Sequence, residues 1–181
     1  MDNQYAFFDM DGTLINTDYA NFLAYQKAIS EAVGFSAAKV KFDCKHRFDR
    51  AFLRELLPSL RTEELGLIVD LKSEFYNEFL SETSVEPSVV EKFKELFDTH
   101  KLVLVTRSHF KRAQLILEFH GLHGYLEKIF SVESLVCNNK YASALSLMGL
   151  PSSEALVFEN ETYERNCALN AGISINNIFM V

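Results

Sequence analysis

Three short apolar runs punctuate the chain, each ended at once by polar residues: Gln4 to Phe8 before Asp9, Leu102 to Val105 before Thr106, and Ala155 to Phe158 before Glu159. Uninterrupted runs of this length suit strands covered on both faces, as in parallel sheets. Ile129-Phe130 and the terminal Ile178 to Val181 are weaker strand candidates. Segments of helical length lie between them: Ser88 to Phe97, His109 to His120, Lys140 to Met148 and Thr162 to Ala171. Strand alternating with helix predicts an α/β fold built on a doubly wound parallel sheet.

One interval breaks this rhythm. From Thr17 to Glu86 the pattern reads as helix throughout, which predicts a helical insertion between two parts of the core, residues 1–16 and 87–181. Phe22, Gln26, Ile29 and Val33 mark one helical stripe, and Leu65, Ile68, Val69, Phe75, Tyr76 and Phe79 mark another. Apolar stripes at this spacing serve packing, so the aromatic residues are read as core and not as a cofactor box. Between Thr106 and Lys140 there is too little chain for a second insertion.

Hydrophobic residues at 48%, charged residues at 24%, seven Gly and three Pro describe a folded globular chain and set disorder aside. No apolar run approaches the roughly 20 residues of a membrane helix, and no basic-then-apolar leader opens the chain, so a cytoplasmic protein without a membrane partner is expected. Cys44, Cys137 and Cys167 are widely spaced and are read as buried thiols, neither disulfide nor zinc ligands. A net charge of −7 argues against nucleic acid as a partner. Within that acidic chain, the stretch from Lys39 to Arg50 carries five basic residues (Lys39, Lys41, Lys45, Arg47, Arg50) and two acidic ones. A solvated helix face explains it; the sharper reading is that Arg47 or a neighbouring lysine meets an anionic part of a substrate.

Open parallel sheets bind ligands beyond the carboxyl ends of their strands, which directs attention to the residues closing each run. These are Asp9 and Asp11, then Thr106 and Ser108, then Glu159, Asn160 and Glu161, with Lys140 opening the helix before the last strand. Two carboxylates, a hydroxyl, an ammonium and a further acidic group suit phosphoryl transfer through a covalent carboxyl intermediate. One carboxylate attacks phosphorus, a second protonates the leaving oxygen and later deprotonates water, and a cation offsets the repulsion between anions. Arg107 either touches substrate or pairs with an acidic neighbour.

In this order the set resembles the haloacid dehalogenase superfamily of phosphohydrolases over nearly the whole chain. Asp9-Met10-Asp11-Gly12-Thr13 matches the first family motif, Thr106 the second, Lys140 the third, and Glu159-Asn160-Glu161 running into Ala168-Leu169-Asn170-Ala171-Gly172 is similar to the fourth. The resemblance implies a Rossmann-like core with the helical insertion as a cap, Asp9 as nucleophile, Asp11 as acid/base, Thr106 and Lys140 as phosphoryl ligands, and Mg²⁺ as cofactor. Substrate contacts are expected from Arg47, Arg107 and Ser108. Family dehalogenases lack the second aspartate, so Asp11 implies phosphate esters or anhydrides, and a capped site implies a small phosphorylated metabolite. The sequence departs from the family at Asn160, where an Asp usually binds the metal; Mg²⁺ is expected through Asp9, the Asp11 backbone carbonyl, and Asn160 or Glu159, more weakly for the lost charge. Alternatives are a phosphomutase of the same superfamily and a noncatalytic phosphate-binding or regulatory protein.

Overall fold

The structure, a computed structural model, describes residues 5–34, 41, 42, 48 and 50–181. Two compact units emerge: Met1–Ile15 together with Val85–Val181, and Asn16–Ser84. The first is built on a five-stranded, all-parallel sheet of β1 (Tyr5–Phe8), β4 (Lys101–Val105), β5 (Leu126–Phe130), β6 (Ala155–Glu159) and β7 (Ile178–Met180), in the order β5-β4-β1-β6-β7. The chain builds outward from β1 to β4 and β5, then returns to the other side of β1 for β6 and β7. This is the reversal that opens a ligand crevice at the carboxyl edge in doubly wound sheets.

Physical chemistry explains which strands the apolar pattern revealed. Ala6, Phe7 and Phe8 in β1 and Val103, Leu104 and Val105 in β4 are fully buried, because helices cover both faces of the sheet centre. Phe8 stacks on Phe158 of β6 at 4.4 Å and meets Phe93 edge-on at 5.0 Å. At the sheet edge, β5 extends well beyond the Ile129-Phe130 expected, since its exposed Glu127 and Lys128 interrupt the apolar run.

The helices of this unit are α4 (Pro87–Phe97), α5 (Phe110–Phe119), α6 (Lys140–Met148) and α7 (Thr162–Asn170). Pro87 opens α4, where its missing N–H costs nothing, and Val89, Val90, Phe93 and Leu96 form the buried stripe. α6 begins where it does because the Asn139 side chain accepts from Tyr141 N–H at 3.1 Å and Ala142 N–H at 3.0 Å.

In the second unit, α1 (Asp18–Val33), α2 (Arg50–Leu56) and α3 (Thr62–Phe75) supply Phe22, Tyr25, Ile29, Leu53, Leu65 and Ile68 to a separate core, which Phe48, outside these helices, joins. The second apolar stripe does not stay α-helical: after Phe75 the chain continues as a 3-10 helix, Tyr76–Glu82, with Phe79 outside helical dihedrals. Two very short strands, β2 (Ile15–Asn16) and β3 (Ser84–Val85), pair with each other where the chain leaves the first unit and re-enters it. Among the described residues no helix is long and apolar enough to cross a membrane.

The cysteine expectation needs one correction. Cys167 is buried, but Cys137 is exposed, its Sγ 3.4 Å from the Asn139 carbonyl and 3.3 Å from Ser143 Oγ. It sits in the loop before α6, where no sheet or helix covers it. Cys44 lies outside the described residues.

Candidate active site

Strand register brings the chemistry to one edge. Phe8 is level with Leu104 on one side and Phe158 on the other, so the residues that follow all three emerge together. The Asp9 N–H donates to the Phe158 carbonyl at 3.1 Å, fixing the backbone of Asp9 against β6.

The turn after Asp9 is tight. The Met10 carbonyl accepts from the N–H groups of Thr13, Leu14 and Ile15, while Gly12 N–H donates to the Ile15 carbonyl at 2.8 Å. Gly12 takes φ +82°, and a Cβ there would lie 2.3 Å from Asn160 Nδ2. Glycine is therefore required twice, for the left-handed backbone and for the close approach of Asn160. Thr13 Oγ1 donates to Asn160 Oδ1 at 3.1 Å, tying the turn to the loop after β6.

Lys140, the first residue of α6, is almost wholly buried and reaches both acidic segments: Nζ lies 2.6 Å from Asp9 Oδ1 and 2.8 Å from Glu159 Oε2. Burial works against its charge, but Asp9 and Glu159 hold the ammonium above its ordinary pKa. Asp9 moves the other way from a typical ion-paired acid: burial pushes its pKa up to about 7, Lys140 lowers it, and the Glu159 and Asp11 charges raise it again. One ammonium shared between two buried carboxylates does not neutralise both, so Asp9 retains part of its desolvation penalty.

Glu159 is fully buried and its oxygens are engaged on all sides. Oε2 accepts from Tyr141 OH at 2.6 Å as well as from Lys140, and Oε1 accepts from Asn160 N–H at 3.0 Å and Glu161 N–H at 3.1 Å. Four donors match the capacity of a carboxylate, so in this arrangement Glu159 holds Lys140 in place. Burial together with the Glu159 and Asp9 charges raises the Tyr141 phenol well above its usual pKa.

Thr106 directly follows β4, with its N–H on the Phe130 carbonyl at 2.9 Å and its hydroxyl accepting from Ser108 N–H at 3.0 Å. Ser108 in turn donates its hydroxyl to Asp11 Oδ2 at 2.6 Å. Asp11 is also gripped by a residue that sequence reasoning passed over: Arg112, whose Nη2 and Nη1 reach Oδ1 at 2.6 Å and Oδ2 at 3.0 Å. Its only sequence signal is a spacing of four from Ser108. In an amphipathic helix such an arginine reads as a solvent-facing residue.

Arg107 pairs with the buried Glu164 of α7 and donates to the Asn138 carbonyl at 2.7 Å, the contacts of the acidic-neighbour alternative. Arg47, Lys39 and Lys45 lie outside the described residues. Arg50, at the end of the same basic stretch, opens α2 and lines a cavity of about 530 Å³ formed by residues of the second unit. The sequence-predicted residues brought together in the first unit are thus Asp9, Asp11, Thr106, Ser108, Lys140, Glu159 and Asn160.

A divalent cation can be tested against these donors. The Asp9 carboxylate, the Asp11 carbonyl and Asn160 Oδ1 offer oxygen, the chemistry a hard cation takes. Among the described residues no cluster of three or more His, Cys, Asp or Glu could hold a metal ion. The set fits Mg²⁺ in kind and is short in charge.

A family model described as haloacid dehalogenase-like hydrolase matches residues 6–178. No curated protein sequence matches the chain. Among solved structures, a phosphoglycolate phosphatase candidate from Haemophilus somnus 129pt superposes with TM-score 0.77 at 18% identity, covering 96% of this chain and 83% of that one. A haloacid dehalogenase-like family hydrolase from Streptococcus pneumoniae gives TM-score 0.74 at 18% identity, covering 94% and 82%. A candidate beta-phosphoglucomutase from Thermotoga maritima gives 0.67 at 19% identity, covering 98% and 84%. These likenesses are of fold.

Proposed function

The chain belongs to the haloacid dehalogenase-like hydrolases, and from that premise we propose that it is a phosphatase acting on a small phosphorylated metabolite through an aspartyl-phosphate. The observation that carries this reading is Asp9, buried at the carboxyl edge of β1 with Lys140 Nζ 2.6 Å from one of its oxygens and a second aspartate two residues on. The names of the phosphatase-like neighbours support it.

In this reading an Asp9 oxygen attacks phosphorus and the bond from phosphorus to the ester oxygen breaks. Asp11, a carboxylate that only accepts from Arg112 and Ser108 in this arrangement, first takes up a proton and then gives it to the departing oxygen, so an alcohol leaves. Asp11, now a carboxylate, takes a proton from water as the water oxygen bonds phosphorus; the Asp9–phosphorus bond breaks, and inorganic phosphate and free Asp9 result. Thr106 and Lys140 bind the phosphoryl oxygens, with Glu159 and Tyr141 keeping the ammonium aimed at Asp9. Mg²⁺, held by Asp9, the Asp11 carbonyl and Asn160, would supply positive charge where two anions meet. Glu159, occupied by four donors, is assigned to Lys140 and not to the metal. Asn16–Ser84 is assigned as the cap, which restricts substrates to small ones.

Asn160 favours a second reading, a phosphate-binding protein without turnover, since it removes one anionic metal ligand. Hydrolysis of a panel of phosphate monoesters with Mg²⁺, beside an Asp9→Asn control, decides between them. A phosphatase exceeds the control on at least one ester; wild type no faster than Asp9→Asn leaves the binding reading. Formation of an isomeric sugar phosphate in place of inorganic phosphate would identify a mutase instead.

A further inference from the structure

Arg112 stands in an uncomfortable place. It is the third residue of α5, where a cation meets the positive end of the helix dipole, and its side chain is only 15% exposed. Neither the helix dipole nor solvation explains a guanidinium there, since a first turn favours acidic side chains. What holds it is the fork geometry: Nη2 to Asp11 Oδ1 at 2.6 Å, Nη1 to Asp11 Oδ2 at 3.0 Å, with Nη1 also donating to Ser108 Oγ. The Ser108 hydroxyl donates to Asp11 Oδ2 at 2.6 Å, adding a second donor residue to the same carboxylate.

Two parallel bonds fix the plane of a carboxylate, where a single bond leaves it free to turn. An acid/base that must meet a leaving oxygen depends on that plane, because a displacement of about 1 Å costs rate. We infer that Arg112, seconded by Ser108, is a positioning residue that sets the Asp11 carboxylate for proton exchange with the leaving oxygen. The inference rests on the phosphatase reading above. A purely structural ion pair would stabilise the fold and be indifferent to the leaving group. A positioning role would not be, since only a poor leaving group needs the proton.

The test compares kcat/KM on p-nitrophenyl phosphate, whose acidic phenol departs unaided, with phenyl phosphate, whose leaving oxygen is more basic. That parameter reports the step in which the leaving group departs, whatever the rate of the later attack by water. Arg112→Met should lower kcat/KM on phenyl phosphate about tenfold or more, a fraction of what general acid catalysis supplies, and on p-nitrophenyl phosphate by no more than about threefold. Arg112→Lys keeps the charge without the fork and should show the same selective loss. Ser108→Ala, a smaller change, carries the same differential if Arg112→Met does not fold. Equal losses on both esters, or none, overturn the positioning role while leaving the phosphatase in place. Wild-type turnover of no ester in the monoester panel, these two included, above the Asp9→Asn background removes the phosphatase reading and the role of Arg112 with it.

Discussion

Asn160 concentrates the electrostatic question of the site in one side chain. Its Oδ1 already accepts from Thr13 Oγ1 at 3.1 Å, and a carboxylate oxygen there could accept the same bond. Asn160→Asp therefore keeps the contact and adds a negative charge beside Asp9. Mg²⁺ affinity measured by titration calorimetry should rise about tenfold or more, as hard cations favour anionic oxygen; unchanged affinity would place the cation elsewhere. Tyr141→Phe tests the neighbouring network without altering shape. It removes one donor from buried Glu159 and should destabilise by about 1.5–3 kcal/mol in chemical denaturation, with Lys140 still bound to both acids. The placing of Asp9, Thr106 and Lys140 at one edge was legible in the sequence because each directly follows an apolar run or opens a helix, and that of Asp11 because it stands two residues beyond Asp9. Arg112 and Tyr141 were not, because neither closes an apolar run nor opens a helix, and their contacts to Asp11 and Glu159 leave no spacing to read. Glu159 was legible as an acid at the right place, but only its four donors show what it holds.

At the scale of elements, α5 matters because it carries Arg112, and its N-terminus is capped from a distance. Glu133, in the loop after β5, accepts from Phe110 N–H at 3.1 Å and lies 2.8 Å from His109 Nδ1. Partial burial would raise its pKa, but bonds from Ser131, its own backbone, His109 and Phe110 bring it down to about 2. The folded state thus prefers the ionised acid, so its stabilisation is present above the ordinary carboxylate range and fades as pH falls toward about 2. Glu133→Gln should lower thermal stability near neutral pH, by at most about 1 kcal/mol given its half-exposed side chain. The two melting curves should converge in acid; a gap that persists at low pH would mean the side chain acts through packing. This cap was invisible in the sequence because donor and acceptor are distant along the chain. The central strands were visible for the opposite reason: burial on both faces keeps the middles of β1, β4 and β6 apolar, with polar residues only at their ends, whereas the edge position of β5 admits Glu127 and Lys128 within it.

At the scale of the molecule, the long helical interval between β1 and α4 predicted an insertion, and the two units carry separate cores. Phe7, Val103, Val105, Phe130, Tyr141 and Val157 pack with one another in the first, Phe22, Tyr25, Ile29, Leu53 and Ile68 in the second. The chain leaves the first unit at Ile15 and returns at Val85, and the Glu86 N–H donates to the Leu14 carbonyl at 2.9 Å. Departure and return are therefore adjacent, and a few glycine and serine residues could join them without stretching. A chain in which such a linker replaces residues 16–84 retains about 110 residues, a usual size for an independent domain. It keeps the whole parallel sheet, the Asp9–Lys140 pair and the Asp11–Arg112 fork. It should fold to an α/β spectrum by circular dichroism and unfold in one cooperative transition, because every strand of the five-stranded sheet keeps its partners and every member of that core is retained. Aggregation or a broad, non-cooperative melt would show that the sheet depends on Asn16–Ser84 for stability. A cooperative melt makes the second unit an addition to a self-sufficient scaffold, and the comparison of ester hydrolysis with and without it then isolates what that unit contributes to substrate choice.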